Sequence, residues 1–333
     1  MAFVAKFELA ERIACKASIM IEGLAGSGKS GLALMLAYAL AGGFKPENQT
    51  PEKQKEIWKT VFAIDTENKS LNLFVGLPSS WGDKYGKFMT FQLTPDIGYR
   101  PSNYLLLRDE AIKHNAAAIV MDSITHMWNA KGGVLDMVAE YKRQNPRDTD
   151  AWRVWGQPEI AEEKMRILDT IRHHNIHNIT TVRIKEKLDL QFNAEKQKNE
   201  IVSLGEQQLQ QSELKYEPDL VLRMVRAGNP DGTTPIAKVL KTRYAVFKKD
   251  QEYEFTPELC EQLREYLEEG VDVEELLEAQ RKEYVEAVKN YLDTHAAAKP
   301  IWQVLKTDAG YEKTKLDELP LEVLKALYIK LTE

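Results

Sequence analysis

A glycine-rich octapeptide near the start of the chain has the residue types and spacing of a phosphate-binding loop (P-loop). It follows the pattern GxxxxGK[ST] in full and reads Gly23-Leu24-Ala25-Gly26-Ser27-Gly28-Lys29-Ser30. Its glycines let successive backbone N–H groups turn towards an anion, Lys29 adds charge at the β- and γ-phosphates, and the Ser30 hydroxyl can ligate Mg²⁺. The octapeptide therefore predicts that the chain binds a nucleoside triphosphate, and ATP with Mg²⁺ in particular.

A second candidate site residue, Asp122, ends an apolar run. Residues 119–122 read Ile-Val-Met-Asp, and Ser123 follows them. An acid at the end of a buried strand is typical of a Walker B motif, in which it holds Mg²⁺. An aspartate at a strand end can instead cap the next helix. Because a P-loop lies upstream, we interpret Asp122 as part of the magnesium site.

Glu67 follows another apolar run that also ends in an acid. Residues 62–68 read Phe-Ala-Ile-Asp-Thr-Glu-Asn. A carboxylate just beyond a strand can polarise a water for in-line attack on the γ-phosphate. Many P-loop ATPases place this glutamate directly after the Walker B aspartate, but Ser123 stands there, so Glu67 is the candidate base. The alternative is a solvated loop acid.

The hydrophobic pattern predicts the elements that must position these residues. The predicted strands are residues 17–22, 60–65, 88–93, 116–122, 178–184, 219–225 and 236–247. Helical patterns follow the first, third and fourth of these strands, at residues 30–41, 104–115 and 159–175, which favours an α/β fold with a mostly parallel central sheet. From residue 257 onward the pattern is helical and largely acidic. We therefore predict a core domain of residues 1–255 and a small helical region of residues 256–333.

Composition narrows the class of protein. The 333 residues are 43% hydrophobic and 29% charged, which is a normal globular mixture, and the formal net charge is −6. The only two cysteines, Cys15 and Cys260, lie far apart and predict a reduced protein. No apolar run approaches the roughly 20 residues that cross a bilayer, and the N-terminus has no pattern of a secretory signal. We expect a cytoplasmic protein with no membrane partner.

The order of the motifs resembles a known superfamily. The P-loop, a following strand that ends Ile-Asp-x-Glu and a Walker B strand that ends Asp-Ser together look like the RecA/RadA recombinase core. More closely, the chain resembles phage-encoded AAA-type nucleotide-binding proteins, including the RecA-core single-strand annealing recombinases of the Sak group. The superfamily resemblance covers roughly residues 15–250, and the closer one rests on residues 123–128 and 181–185. The resemblance implies a RecA-like P-loop NTPase core. For a phage-encoded protein it also implies a location in the cytoplasm of the host.

The resemblance also gives a meaning to two basic residues, Lys241 and Arg243. They resemble a Lys-x-Arg element that RadA- and DnaB-type proteins carry on a late strand, where it reaches the γ-phosphate bound by a neighbouring subunit. Residues spaced by two share one face of a strand, and such a pair can stabilise the charge of the transferring phosphoryl group. This implies head-to-tail assembly into a ring or a filament. The alternative is a solvated basic pair on an exposed strand face.

Arg183 and Lys185 stand at the end of the fifth predicted strand. They could sense the γ-phosphate or contact DNA, or they could be a surface basic pair. The resemblance places at this strand end a polar switch residue that links the nucleotide state to a DNA loop. The glutamine that recombinases usually carry there is not evident in this sequence.

Two stretches correspond to the loops that line the single-strand path in RecA-like proteins, residues 131–155 and 185–215. The first is a long polar region, and the second is predicted to be a mobile loop or a hairpin. They mix basic side chains, which meet phosphates, with aromatic ones, which stack on bases. The candidate DNA-binding residues are Lys131, Lys142, Arg143, Trp152, Arg153, Lys185 and Lys187. For Trp152 and for Trp155 the alternative is core packing at helical spacing, and for the lysines it is a solvated loop.

These residues and the resemblance together predict an ATPase that is stimulated by single-stranded DNA and promotes annealing or strand exchange as a homo-oligomer. One alternative is a DnaB- or RadA-like helicase or branch-migration motor. Another is a nucleotide-dependent regulatory switch that binds no DNA. The acidic helical region could compete with DNA for a basic groove, dock a replication or single-strand-binding protein, or complete the fold.

Overall fold

The structure is a computed structural model that describes residue 10 and residues 12–172, 175–193, 198–229, 233–271 and 273–332. Of these, residues 186–193, 198–207, 212, 273 and 274 are described by their backbone only. The strands are β1 (Ser18–Gly23), β2 (Val61–Asp65), β3 (Met89–Gln92), β4 (Ala118–Asp122), β5 (His177–Asn193), β6 (Lys198–Gln208), β7 (Leu220–Arg226), β8 (Ile236–Thr242) and β9 (Glu252–Glu254). The helices are α1 (Lys29–Leu40), α2 (Pro51–Lys59), α3 (Pro101–Lys113), α4 (His126–Asn129), α5 (Val134–Gln144), α6 (Ala151–Trp155), α7 (Pro158–Arg172), α8 (Pro257–Glu268), α9 (Val273–Thr294), α10 (Ala298–Asp308) and α11 (Leu321–Thr332).

A central sheet organises the larger part of the chain, with the strand order β3-β2-β4-β5-β1-β7-β8-β9. The six strands from β3 to β7 in this order are parallel to one another, and β8 and β9 are antiparallel to their neighbours. The predicted α/β class with a mostly parallel sheet is thus confirmed. Because these strands share one direction, β1, β2 and β4 end at the same edge, which we call the carboxyl edge.

The side chains of the central strand β1 point alternately into two hydrophobic layers, one on each face of the sheet. Ile19 and Ile21 belong to the cluster that contains α1, whereas Met20 belongs to the cluster on the other face of the sheet. That second cluster includes Tyr104 of α3 and Ile167 of α7. Successive side chains of a strand point to opposite faces, so a strand with apolar residues on both faces requires cover on both. β1 has such residues and is buried throughout.

The two stretches that correspond to the DNA-path loops contain regular structure. Residues 131–155, predicted as a polar loop, hold the helix α5 and the short helix α6. β5 runs nine residues further than its predicted end at 184, to Asn193, and pairs antiparallel with β6, so the second stretch forms the hairpin that was one of its two predicted structures. The polar composition of residues 131–155, which suggested a loop, suits helices whose faces are largely exposed.

The described chain divides into two compact units. Lys16–Leu267 form the larger unit, and Glu268–Glu333 with the N-terminal segment Met1–Cys15 form the smaller one. This division differs from the expected 1–255 and 256–333, because α8 buries Cys260 and Leu263 in the same cluster as α1.

The smaller unit has a core of its own. Val288 of α9, Trp302 of α10 and Leu324 of α11 are buried together. Within this unit Ile13 forms a parallel bridge with Val271, supported by backbone hydrogen bonds on either side. In the parts of the chain that the structure describes, no helix is both long and apolar enough to cross a membrane.

Candidate nucleotide-binding site

The P-loop connects the end of β1 to the start of α1, as its motif requires. Gly26 and Gly28 adopt left-handed backbone angles, with φ of 75° and 88°, which glycine reaches at little cost. A Cβ atom at Gly28 would lie 2.6 Å from the Cβ atom of Ala227, so the strand-end neighbour also excludes a side chain there. The loop leads directly into the N-terminus of a twelve-residue helix, whose free N–H groups attract anions.

Two side chains of the P-loop fit a phosphate ligand. The Oγ atom of Ser27 is buried and has no hydrogen-bond partner among the described residues, and a phosphate oxygen would satisfy it. Lys29 Nζ donates to the Leu24 carbonyl oxygen at 2.7 Å. Burial lowers the pKa of Lys29, against the opposing effect of the carboxylates of Asp122 and Glu67. An anion bound in the loop would restore the stability of the charged form.

Asp122 and Ser30 meet as the magnesium prediction requires. Ser30 Oγ donates to Asp122 Oδ2 at 2.6 Å, and the Thr181 hydroxyl donates to Asp122 Oδ1. Burial raises the pKa of Asp122, while these two hydrogen bonds act against the increase. Within the described residues no three His, Cys, Asp or Glu side chains form a metal site by themselves. An ion here would take its other ligands from phosphate oxygens and water, as Mg²⁺ commonly does.

Glu67 is held by a turn that Asp65 builds. β2 and β4 are neighbours, with Asp65 opposite Asp122 in the register. The Asp65 carboxylate accepts the backbone N–H groups of Glu67, at 2.7 Å, and of Leu71, at 3.0 Å. Burial raises the pKa of Asp65, and both backbone hydrogen bonds oppose the increase. Asp65 therefore shapes the loop that carries Glu67, a structural role that sequence reasoning did not assign.

Arg183 is the partner of Glu67. It stands opposite Gly23 in the register of β5 and β1, at the point where the P-loop begins. Its Nε and Nη2 atoms lie 2.9 Å and 2.6 Å from Glu67 Oε1. The carboxyl edge therefore brings together five residues that the sequence singled out separately: Lys29, Ser30, Glu67, Asp122 and Arg183.

Thr66 and His126 complete this group, and sequence reasoning missed both. The Thr66 hydroxyl lies 2.6 Å from His126 Nδ1 and accepts the N–H group of Ser123 at 2.8 Å. The available signals were the polar residue inside Asp-Thr-Glu and the histidine four positions after Asp122. Neither signal indicates a contact, because the contact depends on the pairing of β2 with β4.

Comparison with known proteins agrees with this geometry. Residues 15–254, more than half of the chain, match the family model described as AAA domain. The chain belongs to the AAA domain family. It is a P-loop ATPase, a class that generally uses ATP with Mg²⁺.

Similarity beyond the family is distant. A KaiC-like protein of the hyperthermophilic archaeon Pyrococcus horikoshii OT3 is a similar solved structure, 13% identical with a TM-score of 0.38, over 72% of this chain and 84% of that one. No curated protein sequence matches the chain significantly.

In this AAA domain family member, Lys241 and Arg243 lie away from the P-loop of their own chain. Lys241 pairs with Val221, which pairs with Met20 near the start of β1, whereas the P-loop follows the end of that strand. Lys241 Nζ donates to the carbonyl oxygens of Tyr216 and Pro218, each at 2.5 Å. Burial, followed by the charge of Arg243, lowers the pKa of Lys241.

Arg243 follows the end of β8 and so does not continue a strand face with Lys241. It forms an ion pair with Asp219, with 2.7 Å between Nη1 and Oδ1. The expected contact was with a neighbouring subunit, so action of the two residues in trans stays a prediction.

Trp152, the aromatic candidate DNA-binding residue, is almost fully exposed. It lies on α6, which Asp150 caps, and is 89% exposed, so core packing does not describe it. Trp155, on the same short helix, is half-buried and stacks on Trp128 with the ring centroids 6.0 Å apart. The core alternative therefore holds in part for Trp155.

The basic candidates are surface residues. Lys131, Lys142 and Lys185 are exposed. Arg143 forms an ion pair with Glu140, and Arg153 lies 3.9 Å from Asp148. The side chain of Lys187 lies outside the described residues.

Proposed function

We propose that the protein binds ATP with Mg²⁺ and hydrolyses it when single-stranded DNA is bound, and that as a homo-oligomer it promotes annealing or strand exchange. The observation that carries the proposal is the composition of the carboxyl edge. The residues that suit ATP hydrolysis lie there, and the chain enters both candidate DNA-binding segments from the same edge. β5 carries Arg183 and then continues into the β5–β6 hairpin, while β4 carries Asp122 and leads to the segment 131–155.

Each residue of the edge has a distinct part in this hydrolysis. The N–H groups of the P-loop and the Lys29 ammonium bind the β- and γ-phosphates. Ser30 and Asp122 hold Mg²⁺, which supplies neutralisation of the phosphate charge. Glu67 accepts a proton as the water oxygen bonds to the γ-phosphorus, and the bond from that phosphorus to the β–γ bridging oxygen breaks to release ADP. Both bonds from Arg183 go to Oε1 of Glu67, and Oε2 accepts no hydrogen bond from the described residues.

The exposed Trp152 supports the DNA part of the proposal. Its indole is 89% exposed on a helix that Asp150 caps, so the ring face is accessible for stacking on a base. Arg143 and Arg153, each with 67% of the side chain exposed, are close to it in sequence. An aromatic surface with basic neighbours suits bases that stack and phosphates that pair with cations.

Assembly follows if Lys241 and Arg243 act on a neighbour's nucleotide. Because neither residue is near its own P-loop, any contact with a γ-phosphate would have to cross between subunits. A repeated contact of this head-to-tail kind closes into a ring or extends as a filament. The resemblance to Sak-group annealing proteins is consistent with either form.

The test is ATPase turnover with and without single-stranded DNA, at low and at high salt. We expect DNA to raise turnover of the wild type, and this effect to weaken with salt. Lys29→Ala should lose nucleotide binding, whereas Glu67→Gln should bind ATP and lose turnover by about 100-fold or more. Arg243→Ala and Lys241→Ala should lose turnover only in the assembled state. Lys238→Ala, on the same strand as Lys241, is the matched control.

The same measurements separate the alternatives. Unwinding of a forked duplex would identify a helicase or branch-migration motor instead. If DNA changes neither turnover nor assembly, the nucleotide-dependent switch is the remaining alternative. Normal turnover of Glu67→Gln would show that another group is the base.

A further inference from the structure

His126 makes the shortest contact of the Thr66 side chain. Its Nδ1 atom lies 2.6 Å from Thr66 Oγ1, whereas the carbonyl oxygens of Asp122 and Ser123 lie 3.1 Å and 3.3 Å from the same hydroxyl. The hydroxyl also accepts the N–H group of Ser123. The bond to His126 forms in either tautomer of the ring, donated by Thr66 in one and by His126 in the other. Thr66 is thus held to the segment that follows Asp122.

The ring of His126 is itself held in place. It is the first residue of α4, and it packs against the buried ring of Tyr99, with the centroids 5.1 Å apart and the ring planes tilted by 34°. Burial and the charge of Arg183 lower the pKa of His126, and Glu67 opposes them. The imidazole is therefore neutral at pH 7, which suits a hydrogen bond to a hydroxyl inside the protein.

The sequence position of Thr66 gives this contact its importance. Thr66 lies between Asp65, which shapes the loop, and Glu67, the proposed base. Its backbone N–H group donates to the Asp122 carbonyl oxygen at 2.8 Å. Both the backbone and the side chain of Thr66 are therefore tied to the strand end that carries Asp122. The side chain of Glu67, the next residue, therefore extends from a backbone position that is fixed relative to Asp122.

We infer that His126 is a positioning residue for ATP hydrolysis, which through the Thr66 hydroxyl fixes the carboxylate of Glu67 relative to Asp122. The inference rests on the proposed role of Glu67. His126 does not touch the nucleotide in this role. Its loss should slow the chemical step and leave nucleotide binding intact, because the P-loop does not depend on it.

The experiment compares kcat for ATP with the Kd for a fluorescent ATP analogue in variants of the full chain. We expect His126→Ala to lower kcat by about 10- to 100-fold, as a small misplacement of a reacting group does, with Kd within about twofold of the wild type. His126→Asn keeps a donor and an acceptor near the position of Nδ1 and should recover most of the loss. Thr66→Val should behave like His126→Ala, whereas Thr66→Ser, which keeps the hydroxyl, should lose less kcat than Thr66→Val. His114→Ala, on the exposed end of α3, is the matched histidine control.

A double variant makes the test specific for the bond. If the contact is what matters, Thr66→Val combined with His126→Ala should be no slower than the slower single variant. Fully additive losses would mean that the two residues act separately, and would overturn the inference. So would wild-type kcat in His126→Ala, or a His126→Asn protein that is as slow as His126→Ala at equal thermal stability.

Two further outcomes bear on the role of His126. If His126→Ala does not fold, Thr66→Val and His126→Asn decide, and wild-type kcat in Thr66→Val overturns the inference. Glu67→Gln is measured beside them. Normal turnover of Glu67→Gln overturns the assignment of the base, whereas slow Glu67→Gln with normal His126→Ala overturns only the role of His126.

Discussion

Asp65 and Asp122 are neighbours across two parallel strands, and their carboxylates have different partners. Asp65 accepts two backbone N–H groups and shapes the loop after β2. Asp122 accepts two hydroxyl groups, from Ser30 and Thr181, and faces the start of α1. Only the second arrangement leaves the carboxylate beside a P-loop serine, where a hydrated Mg²⁺ is expected. Two aspartates at paired strand ends therefore have different roles, because different groups donate hydrogen bonds to them.

The first prediction uses this pair. Asp122→Asn should weaken binding of ATP with Mg²⁺ by about tenfold or more, because the side chain that is proposed to hold the hydrated ion loses its negative charge. Binding of ATP in the presence of a chelator should change little. Titration of a fluorescent ATP analogue with and without Mg²⁺ measures both.

Asp65→Asn is the matched control for that measurement. It should keep the gain in affinity that Mg²⁺ gives, even where it slows turnover by moving Glu67. Equal loss of the magnesium effect in the two variants would show that Asp122 has no special relation to the ion.

At the scale of elements, the P-loop depends on the end of β7. Gly28 has a φ of 88° and would bring a Cβ atom within 2.6 Å of Ala227. Gly26 has a φ of 75°, and a Cβ atom there would meet nothing within 4 Å. Both glycines have left-handed backbone angles, but only Gly28, the N-cap of α1, is also closely approached by the residue that follows β7.

The second prediction follows from this difference. Gly26→Ala should destabilise the fold by about 1–2 kcal/mol through its left-handed backbone alone. Gly28→Ala should cost more, since a neighbouring strand must also move. Chemical denaturation of both variants without nucleotide compares them, and equal losses would contradict the importance of the contact with Ala227.

A buried carboxylate links β1 to the hairpin. Glu22, only 1% exposed, precedes Gly23 and accepts the Arg223 Nε–H group of β7 at 2.6 Å. It also accepts from the side chain of Gln208, at the end of β6. The last residue before the P-loop is therefore bonded both to the sheet and to the returning strand of the hairpin.

The third prediction concerns this carboxylate. Glu22→Ala should lower the free energy of unfolding by about 1–3 kcal/mol, because the hydrogen bonds that the buried carboxylate accepts from Arg223 and Gln208 are lost. Glu56→Ala, which breaks the exposed pair with Lys59, should change it by less than about 1 kcal/mol. Unfolding in urea measures both, and a small effect at Glu22 would mean that water replaces the carboxylate readily.

Local motifs made one half of the site predictable from sequence and left the other half hidden. The P-loop, Asp122 and Glu67 follow from residues within a few positions of one another, where the pattern itself implies the strand and the turn. The pairs Glu67–Arg183 and Thr66–His126 join segments from different strands, and only the sheet order β2-β4-β5-β1 brings them together. The helices α5 and α6 were missed because their exposed faces carry the polar residues that also mark loops.

At the scale of the whole molecule, the residues assigned to the candidate nucleotide site belong to the larger unit. Lys29, Glu67, Asp122 and Arg183 all lie within Lys16–Leu267. The smaller unit has its own buried core around Val288, Trp302 and Leu324.

The fourth prediction is that residues 16–267, produced alone, fold and bind ATP with a Kd within about twofold of that of the full chain. This follows because the hydrophobic cluster of each unit is complete without the other. Calorimetric titration of both proteins with ATP and Mg²⁺ measures it. A folded fragment that does not bind would show that the nucleotide site needs a residue outside those limits.

The bridge between Ile13 and Val271 has a consequence for the order in which the chain folds during synthesis. The smaller unit combines the N-terminal segment with the helices α9, α10 and α11, so the chain passes between the units twice. On the ribosome, every residue of the nucleotide-binding unit is made before these helices. Ile13 must therefore wait until the whole nucleotide-binding unit and Val271 have been made before the two residues can pair.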